Sequence, residues 1–471
     1  MSGSRAHAVT GAGIESRPLE ATPRSANRLP TSTIAIYSLP MLSVGYMFGL
    51  VNTYLLKFAT DVLLVAPATM GLIFGVSRLW DAFFDLPAGY LSDRTVTRLG
   101  RRRPWLFASV IPICVTFIAM WTPPGGLHGG SLTLWMATAV VLFYSAQTIL
   151  TVPHGSLGAE LTSAYHERTR VFAGRLIAET AGLFLGLVGL FMLERANAPR
   201  DMACRLGVVA SMVTAGVIVF STVCQRERAE YQGRGSTRLL GAFADVWRNS
   251  HARLLLFTFF IEQLGVASLS TLVPYLSQYI LHTPGYTAYY FLGYLLPMAV
   301  SIPLWVPLSR RFGKRNAWVA SMVAKALGFG ACFLLQEGDW WQILVIVTVV
   351  GVADGCGRTV APSLQADVID YDELRTGQRK EGAYFAAWNL AAKGATAFAV
   401  MLTGATLQWS GFQPNVEQTD ATKLALRVLI SLFPLVFYGI AAVIGIRFGL
   451  NETEHAAVRA KLAGAPVRAR S

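Results

Sequence analysis

Twelve apolar stretches recur along the chain of 471 residues, and each is long enough to cross a lipid bilayer as a helix. The hydrocarbon core is about 30 Å thick, so a spanning helix needs about 20 mostly apolar residues. Only 14% of the residues are charged, against roughly 25% in a soluble domain. A cytosolic enzyme or a disordered chain is therefore excluded, and the sequence predicts an all-α membrane protein with twelve transmembrane helices. The stretches are 33–57, 68–91, 105–122, 132–154, 171–193, 206–224, 254–281, 287–308, 318–336, 340–364, 384–408 and 425–448.

Lysine and arginine are unevenly distributed between the loops, and this asymmetry predicts the orientation in the membrane. The loops after the second and eighth stretches are basic, whereas 123–131 and 282–286 contain neither residue. Cytoplasmic loops carry an excess of Lys and Arg. We therefore expect both termini in the cytoplasm of a bacterial-type inner membrane. This topology accounts for the formal charge of +13, so no nucleic-acid partner is expected.

The sequence also repeats itself. The pattern R-x-G-R-R-x-x-W at 98–105 returns as R-x-G-K-R-x-x-W at 311–318, in the corresponding loop of the second half. Two parallel repeats of six spans describe a transporter whose halves rock against each other around a central substrate. The predicted organisation is a disordered cytoplasmic tail at 1–32, a six-helix bundle at 33–224, a cytoplasmic linker at 225–253, a second bundle at 254–448 and a cytoplasmic tail at 449–471.

The second stretch carries three charged residues, Arg78, Asp81 and Asp85, inside the membrane. Spacings of three and four place all three on one helical face. A charge at the bilayer centre costs about 2.5–3.5 kcal/mol, so each must face a cavity or a partner. Two carboxylates one turn apart repel, which favours a bound cation or a bound proton. The pair is predicted to be the coupling site; the alternative is a fixed salt bridge of Arg78 with one aspartate.

Further charged residues inside the stretches are candidate substrate ligands. Arg175 and Glu179 lie four apart on the fifth stretch, Asp354 and Arg358 lie four apart on the tenth, and Glu262 lies on the seventh. Alternatively, the two residues of each pair four apart can form an ion pair with each other within their own helix. If Asp354 does not neutralise it, Arg358 together with Arg175 would suit an acidic substrate such as a uronide.

Lys393 on the eleventh stretch has no acidic residue within helical reach, so its partner must come from another helix. Asp81 or Asp85 is the predicted partner. Two groups of polar or aromatic residues are further candidates for the substrate cavity, although a threonine within a span often bonds its own backbone. They are Trp388 and Asn389 beside Lys393, and Gln147, Thr148 and Thr151 on one stripe of the fourth stretch.

Three long motifs resemble the glycoside–pentoside–hexuronide:cation symporters, a branch of the major facilitator superfamily. They are W-D-A-x-x-D-x-P-x-G-Y-x-S-D-R-T at 80–95, running into the basic loop; V-P…G-A-E-L-T…E-R-T at 152–169; and A-D-x-x-D-Y-D-E…T-G-x-R-x-E-G at 366–382. The resemblance covers nearly the whole chain and implies the major facilitator fold. In the family's melibiose carriers the acids matching Asp81 and Asp85 hold Na⁺, Li⁺ or H⁺, with a hydroxyl matching Thr148 beside them. Arg175 matches an arginine at the sugar, and Lys393 matches the lysine that links the two sites.

The sequence departs from that family pattern at four positions. Phe84 replaces an asparagine that often completes the cation site, which weakens Na⁺ more than H⁺. Gly45, Thr151 and Gly155 stand where the galactoside carriers use acids and an aromatic residue at the sugar. We therefore expect H⁺ rather than Na⁺ as the coupling ion, and a sugar other than a galactoside.

The resulting prediction is a monomeric, cation-coupled symporter of a glycoside, pentose or hexuronide that works by alternating access. The alternative is transport of a lysolipid-like amphiphile or another non-sugar solute. An enzyme is not expected, since no HExxH or GxSxG motif occurs, and no cofactor or metal is expected beyond a Na⁺ at Asp81 and Asp85. The residues expected to form the gate are Arg78, Asp93, Arg94 and Arg102.

Overall fold

The computed structural model describes residues 29–162, 165–225, 227, 246–377, 381–449 and 452–462, and within them regular structure is entirely helical. The predicted tail over 1–28 and most of the predicted linker lie outside the described residues. We number the long helices α1 to α12 in chain order. They are Thr31–Lys57, Pro67–Arg94, Arg103–Trp121, Gly129–Glu160, Tyr165–Glu194, Pro199–Cys224, Ser250–Tyr279, Thr287–Phe312, Lys314–Ala331, Trp340–Thr376, Glu381–Trp409 and Asp420–Ile446.

Eleven of these helices are long and apolar enough to cross a membrane, which confirms the predicted all-α membrane fold. The helix outside this set is α2, because Arg78, Asp81 and Asp85 interrupt its apolar run. Several helices extend past the predicted stretches: α10 continues to Thr376, where Gly377 adopts φ 67° and ends it. Hydropathy marks the part of a helix that lies in lipid, whereas backbone hydrogen bonding continues into the polar loops.

A helix α13, Glu452–Leu462, lies within the segment predicted to be a plain polar tail. It packs against the polar end of α10, where His455 Nε2 lies 3.1 Å from Asp370 and 3.5 Å from Asp367. Its sequence, E-T-E-H-A-A-V-R-A-K-L, is rich in strong helix formers, a local signal that the prediction of a polar tail did not use.

Most helix–helix contacts lie within two groups, α1–α6 and α7–α12, and α2 packs along α11 between the groups. Within the first group α1 and α5 approach so closely that a β-carbon at Gly182 would lie 1.9 Å from the Leu42 carbonyl oxygen. The sequence repeat has a structural counterpart: Arg101 bonds Glu160 at the end of α4, and Lys314 bonds Asp367 on α10, both at 2.6 Å. The repeated basic motif therefore attaches the same loop of each half to an acid on a neighbouring helix.

The two halves are joined at the end of the molecule opposite the first residues of α1. Thr60 and Asp61 beyond α1 hydrogen-bond Tyr275 and Tyr279 of α7, at 2.9 and 2.8 Å. Nearby, Thr287 of α8 donates to Glu194 of α5. The structure is therefore closed at this end.

Replacing Gly404 by Val should open that closed end. Gly404 of α11 lies against the start of α2, and a β-carbon there would be 2.4 Å from the Pro67 carbonyl oxygen. Overpacking costs about 1–3 kcal/mol, which shifts a two-state population by roughly fivefold to a hundredfold or more. Nitroxide labels at residues 64 and 409 should report a longer distance. Gly439→Val is the matched control, because nothing lies within 4 Å of that position; an unchanged distance in Gly404→Val would contradict the prediction.

Candidate functional site

A cluster of one lysine and two aspartates joins the halves in the middle of the molecule. Lys393 Nζ of α11 lies 2.9 Å from Asp81 Oδ2 and 2.6 Å from Asp85 Oδ2, both on α2. Thr148 Oγ1 of α4 lies 2.7 Å from Asp81 Oδ1 and 3.1 Å from Asp85 Oδ1, and can donate to one of them at a time. The predicted cross-helix partners of Lys393 are therefore present in the structure.

The cluster carries two negative charges and one positive charge when all three groups are ionised. Asp81 is buried, whereas the Asp85 side chain is 29% exposed, so Asp85 is the more accessible oxygen donor. One added cation would neutralise the cluster. Because the cluster contains groups from both halves, such a cation would act directly on a contact that joins them.

A cavity of about 150 Å³ lies between the halves, beside this cluster. Its walls come from α1, α2, α7, α10 and α11, and they combine polar and apolar side chains. The lining consists of Val51, Asn52, Leu56, Phe74, Arg78, Gln263, Val266, Ala267, Ser270, Thr271, Arg358, Thr396 and Val400. Such a pocket between two bundles is the usual place for a small-molecule site.

Arg78 lines this cavity, although the sequence predicted it as a gate residue. It hydrogen-bonds Asn52, and its guanidinium lies 4.5 Å from the centre of the Tyr144 ring. Among the described residues it forms no ion pair within 4 Å, so the fixed salt bridge to Asp81 or Asp85 is not formed.

A chain of alternating charges runs through the second half. Lys325 of α9 is fully buried; it bonds Glu262 and lies 3.3 Å from Asp354. Asp354 is in turn 3.5 Å from Arg358, as the spacing on α10 predicted. Glu262 also accepts from Trp318 and is buried, so it lies in the core of this half and not in the cavity lining. Lys325 is not among the site residues predicted from the sequence, although its charge also lies within an apolar stretch and therefore also needs a partner.

The remaining predicted substrate residues lie outside the cavity lining just described. Arg175 lies against α4 near Gly155, and within the described part of the chain it forms no ion pair with Glu179. Gln147 is buried with Nε2 3.6 Å from Met47 Sδ, and Trp388 is buried against Phe259. Thr151 is half-buried and Asn389 is exposed. Of the predicted substrate residues, the cavity lining includes Arg358.

The other predicted gate residues lie near the basic loop of the first half. Arg102 bonds Asp93 and Ser92 of α2, and it lies 3.2 Å from Glu160 of α4. Arg94 stacks on Tyr90, 4.2 Å from the ring centre. All these contacts stay within one half, so they hold the loop in place and do not join the halves in this state.

Two helical halves that enclose a central cavity and share a charge cluster define a secondary transporter of the major facilitator type. The family model described as "MFS/sugar transport protein" matches residues 36–452, and the chain belongs to this family. This confirms the resemblance found from the motifs, and the chain is a multi-pass transporter and not an enzyme.

Curated relatives match most of the chain. A putative sulfoquinovose importer of Salmonella typhimurium is 28% identical, covering 90% of this chain and 89% of its own length. The isoprimeverose transporter of Lactiplantibacillus pentosus is 26% identical, with coverage of 91% and 90%. The glucuronide carrier protein homolog of Escherichia coli is 26% identical, with coverage of 88% and 92%.

Solved structures share the fold. A bacterial homolog of the human lysosomal transporter Spinster, in an inward-facing and unoccupied conformation, superposes with a TM-score of 0.65 at 14% identity. It covers 93% of this chain and 98% of its own length.

Proposed function

We propose that the protein couples uptake of a sugar or sugar derivative to a proton, with Asp81 and Asp85 as the coupling site. The observation that supports this is the cluster in which both carboxylates bond Lys393 of the opposite half. Protonation of one carboxylate removes half of the negative charge that holds Lys393. The contact between α2 and α11 therefore weakens or strengthens with the occupancy of the site, which is what coupling requires.

The surroundings of the two aspartates favour a proton over sodium. Sodium needs several oxygen ligands, whereas the side-chain oxygens gathered here come from Asp81, Asp85 and Thr148, and both carboxylates already bond Lys393. Phe84 stacks on Trp80 and contributes no oxygen ligand. A proton needs one carboxylate oxygen, which the site already provides.

The substrate proposed for the central cavity is a hydroxyl-rich solute. Its lining includes Asn52, Gln263 and Thr271, which can hydrogen-bond sugar hydroxyl groups. The curated relatives named after sulfoquinovose, isoprimeverose and glucuronide support a sugar over a lysolipid. With the termini in the cytoplasm, as the basic loops favour, the closed end of the structure faces outward and substrate is released inward.

Proton coupling predicts that the external medium becomes alkaline when substrate is added to cells that produce the protein. The measurement uses lightly buffered, sodium-free cell suspensions and a panel of glycosides, pentoses and uronates. Cells with the Asp85→Asn variant are the control and should show no pH change. If the pH stays constant without sodium and uptake rises steeply once sodium is added, the coupling ion is Na⁺ and the proposal is wrong.

A further inference from the structure

Two grooves with largely apolar linings run along α5 on the lateral surface of the molecule. One lies between α5 and α8 and has a volume of about 270 Å³. The other lies between α5, α1 and α6 and has the same volume. Val188 lines both grooves and is 55% exposed, so its side chain forms the ridge between them. Because these helices are long and apolar enough to cross the hydrocarbon core, the grooves are shaped to take acyl chains.

An arginine lies at the end of the ridge that Val188 forms. Arg195 follows Val188 by seven residues, which places it on the same face of α5, about two turns or roughly 10 Å nearer the closed end. Its guanidinium stacks on Phe191, 4.3 Å from the ring centre. Arg195 is exposed, and among the described residues it forms no ion pair within 4 Å. The neighbouring Glu194 is turned inward and accepts a hydrogen bond from Thr287.

The connection from α5 to α6 is basic, unlike two other loops at the same end. The loops 123–131 and 282–286 contain no Lys or Arg, whereas residues 195–205 contain three arginines and a single acid, Asp201. The arginines, all of them exposed, are Arg195, Arg200 and Arg205. The Lys and Arg bias that predicts the orientation places positive charge at the opposite end, so it does not account for this group.

Aromatic side chains mark the level of the lipid headgroups beside Arg195. Tyr286, Tyr289 and Trp340 are exposed. The ring centre of Tyr286 lies 5.6 Å from that of Tyr289 and 6.4 Å from that of Trp340. Tyr289 also contacts Phe191, with ring centres 5.9 Å apart. Tyr and Trp concentrate at the boundary between membrane and water, so Arg195 lies at headgroup depth and the grooves lie at the depth of the acyl chains.

We propose that an anionic phospholipid with two acyl chains binds at α5, with its phosphate on Arg195 and one chain in each groove. A guanidinium group forms paired hydrogen bonds with phosphate oxygens, and basic sites beside membrane helices bind anionic headgroups. Two chains on one glycerol match two grooves that share the ridge at Val188. The binding does not require a particular substrate or coupling ion.

The bound lipid bridges the two halves at the closed end. One groove has a wall from each half, because α5 belongs to the first and α8 to the second. Arg195 also lies against the second half, since a β-carbon at Gly285 would be 3.3 Å from its Nε. Opening of this end separates α5 from α8 and removes one wall of the groove. The lipid therefore binds the closed form more tightly and stabilises it.

The binding test uses native mass spectrometry of the purified protein in mixed micelles. Phosphatidylglycerol should be retained about tenfold more than phosphatidylcholine with the same acyl chains, the effect of a charge-assisted hydrogen bond. Lysophosphatidylglycerol, which has the same headgroup and a single chain, should be retained less than phosphatidylglycerol. Equal retention of phosphatidylglycerol and phosphatidylcholine would overturn the proposal, and so would equal retention of the one-chain and two-chain forms.

A variant locates the phosphate. Arg195→Gln should remove most of the preference for phosphatidylglycerol. The matched control is Arg253→Gln, which makes the same change at an exposed position in the first turn of α7, at the opposite end, and should keep the preference. If Arg195→Gln retains phosphatidylglycerol as the unmodified protein does, the assignment is wrong. If Arg195→Gln does not fold, the comparison of lipids in the unmodified protein still decides.

The bridging role is tested with nitroxide labels at residues 64 and 409 in nanodiscs. Replacement of phosphatidylcholine by phosphatidylglycerol should lower the ratio of long to short label distances by up to about tenfold, the ratio of the two affinities. The same exchange should have little effect in Arg195→Gln. A ratio that rises with phosphatidylglycerol, or that does not change in the unmodified protein, would show that the lipid does not hold this end closed.

Discussion

Asp85→Asn should abolish accumulation of substrate against a gradient while exchange across the membrane continues. The amide cannot take up a proton, and Lys393 keeps a stable partner in Asp81, 2.9 Å away. The substrate cavity retains its lining, because Asp85 is not part of it. Without coupling to the ion, the ratio of internal to external substrate should fall to about one. The measurement is steady-state accumulation, compared with counterflow in vesicles, and Asp81→Asn should behave in the same way.

The matched control is Asp201→Asn, which makes the same chemical change at an exposed position in the first turn of α6. It should accumulate substrate as the unmodified protein does. If Asp81→Asn and Asp85→Asn also accumulate normally, both carboxylates are structural and the coupling site lies elsewhere.

Lys325→Met should strongly destabilise the second half. Lys325 is fully buried between Glu262 and Asp354, and its ammonium lies 4.8 Å from the centre of the Tyr438 ring. Removal of the lysine leaves a buried carboxylate without its cation, a change that costs about 3–5 kcal/mol. The free energy of unfolding can be measured by titration of mixed micelles with a denaturing detergent.

A double variant separates charge from packing. Lys325→Met combined with Glu262→Gln removes one charge of each sign and leaves the Asp354–Arg358 pair in place. Because an intact buried pair and an apolar replacement are often similar in stability, the double variant should recover most of the loss. A double variant as unstable as Lys325→Met alone would show that shape, and not charge, makes Lys325 necessary.

The sequence by itself determined the properties that depend on a single helix and on the lipid or water around it. The length of each apolar stretch predicted a spanning helix, and the loop motif at 98–105 and 311–318 predicted two related halves. Helical spacing placed Asp81 and Asp85 on one face. The absence of an acid near Lys393 on its own helix pointed to those aspartates, because a charge inside the membrane must find a partner.

The tertiary structure alone decided which side chains meet across helices. Lys325 of α9 pairs with Glu262, which the sequence predicted as a substrate ligand, and Arg78 bonds Asn52 at the cavity and not the aspartates of its own helix. Likewise, no local sequence pattern predicts the hydrogen bond from Tyr279 to Asp61 that helps to close one end of the structure. Helical periodicity determines on which face of its helix each residue lies. Which other helix that face contacts depends on how the twelve helices rotate and pack together. Close helix–helix approaches, such as that of Gly404 on α11 to Pro67 on α2, set this arrangement.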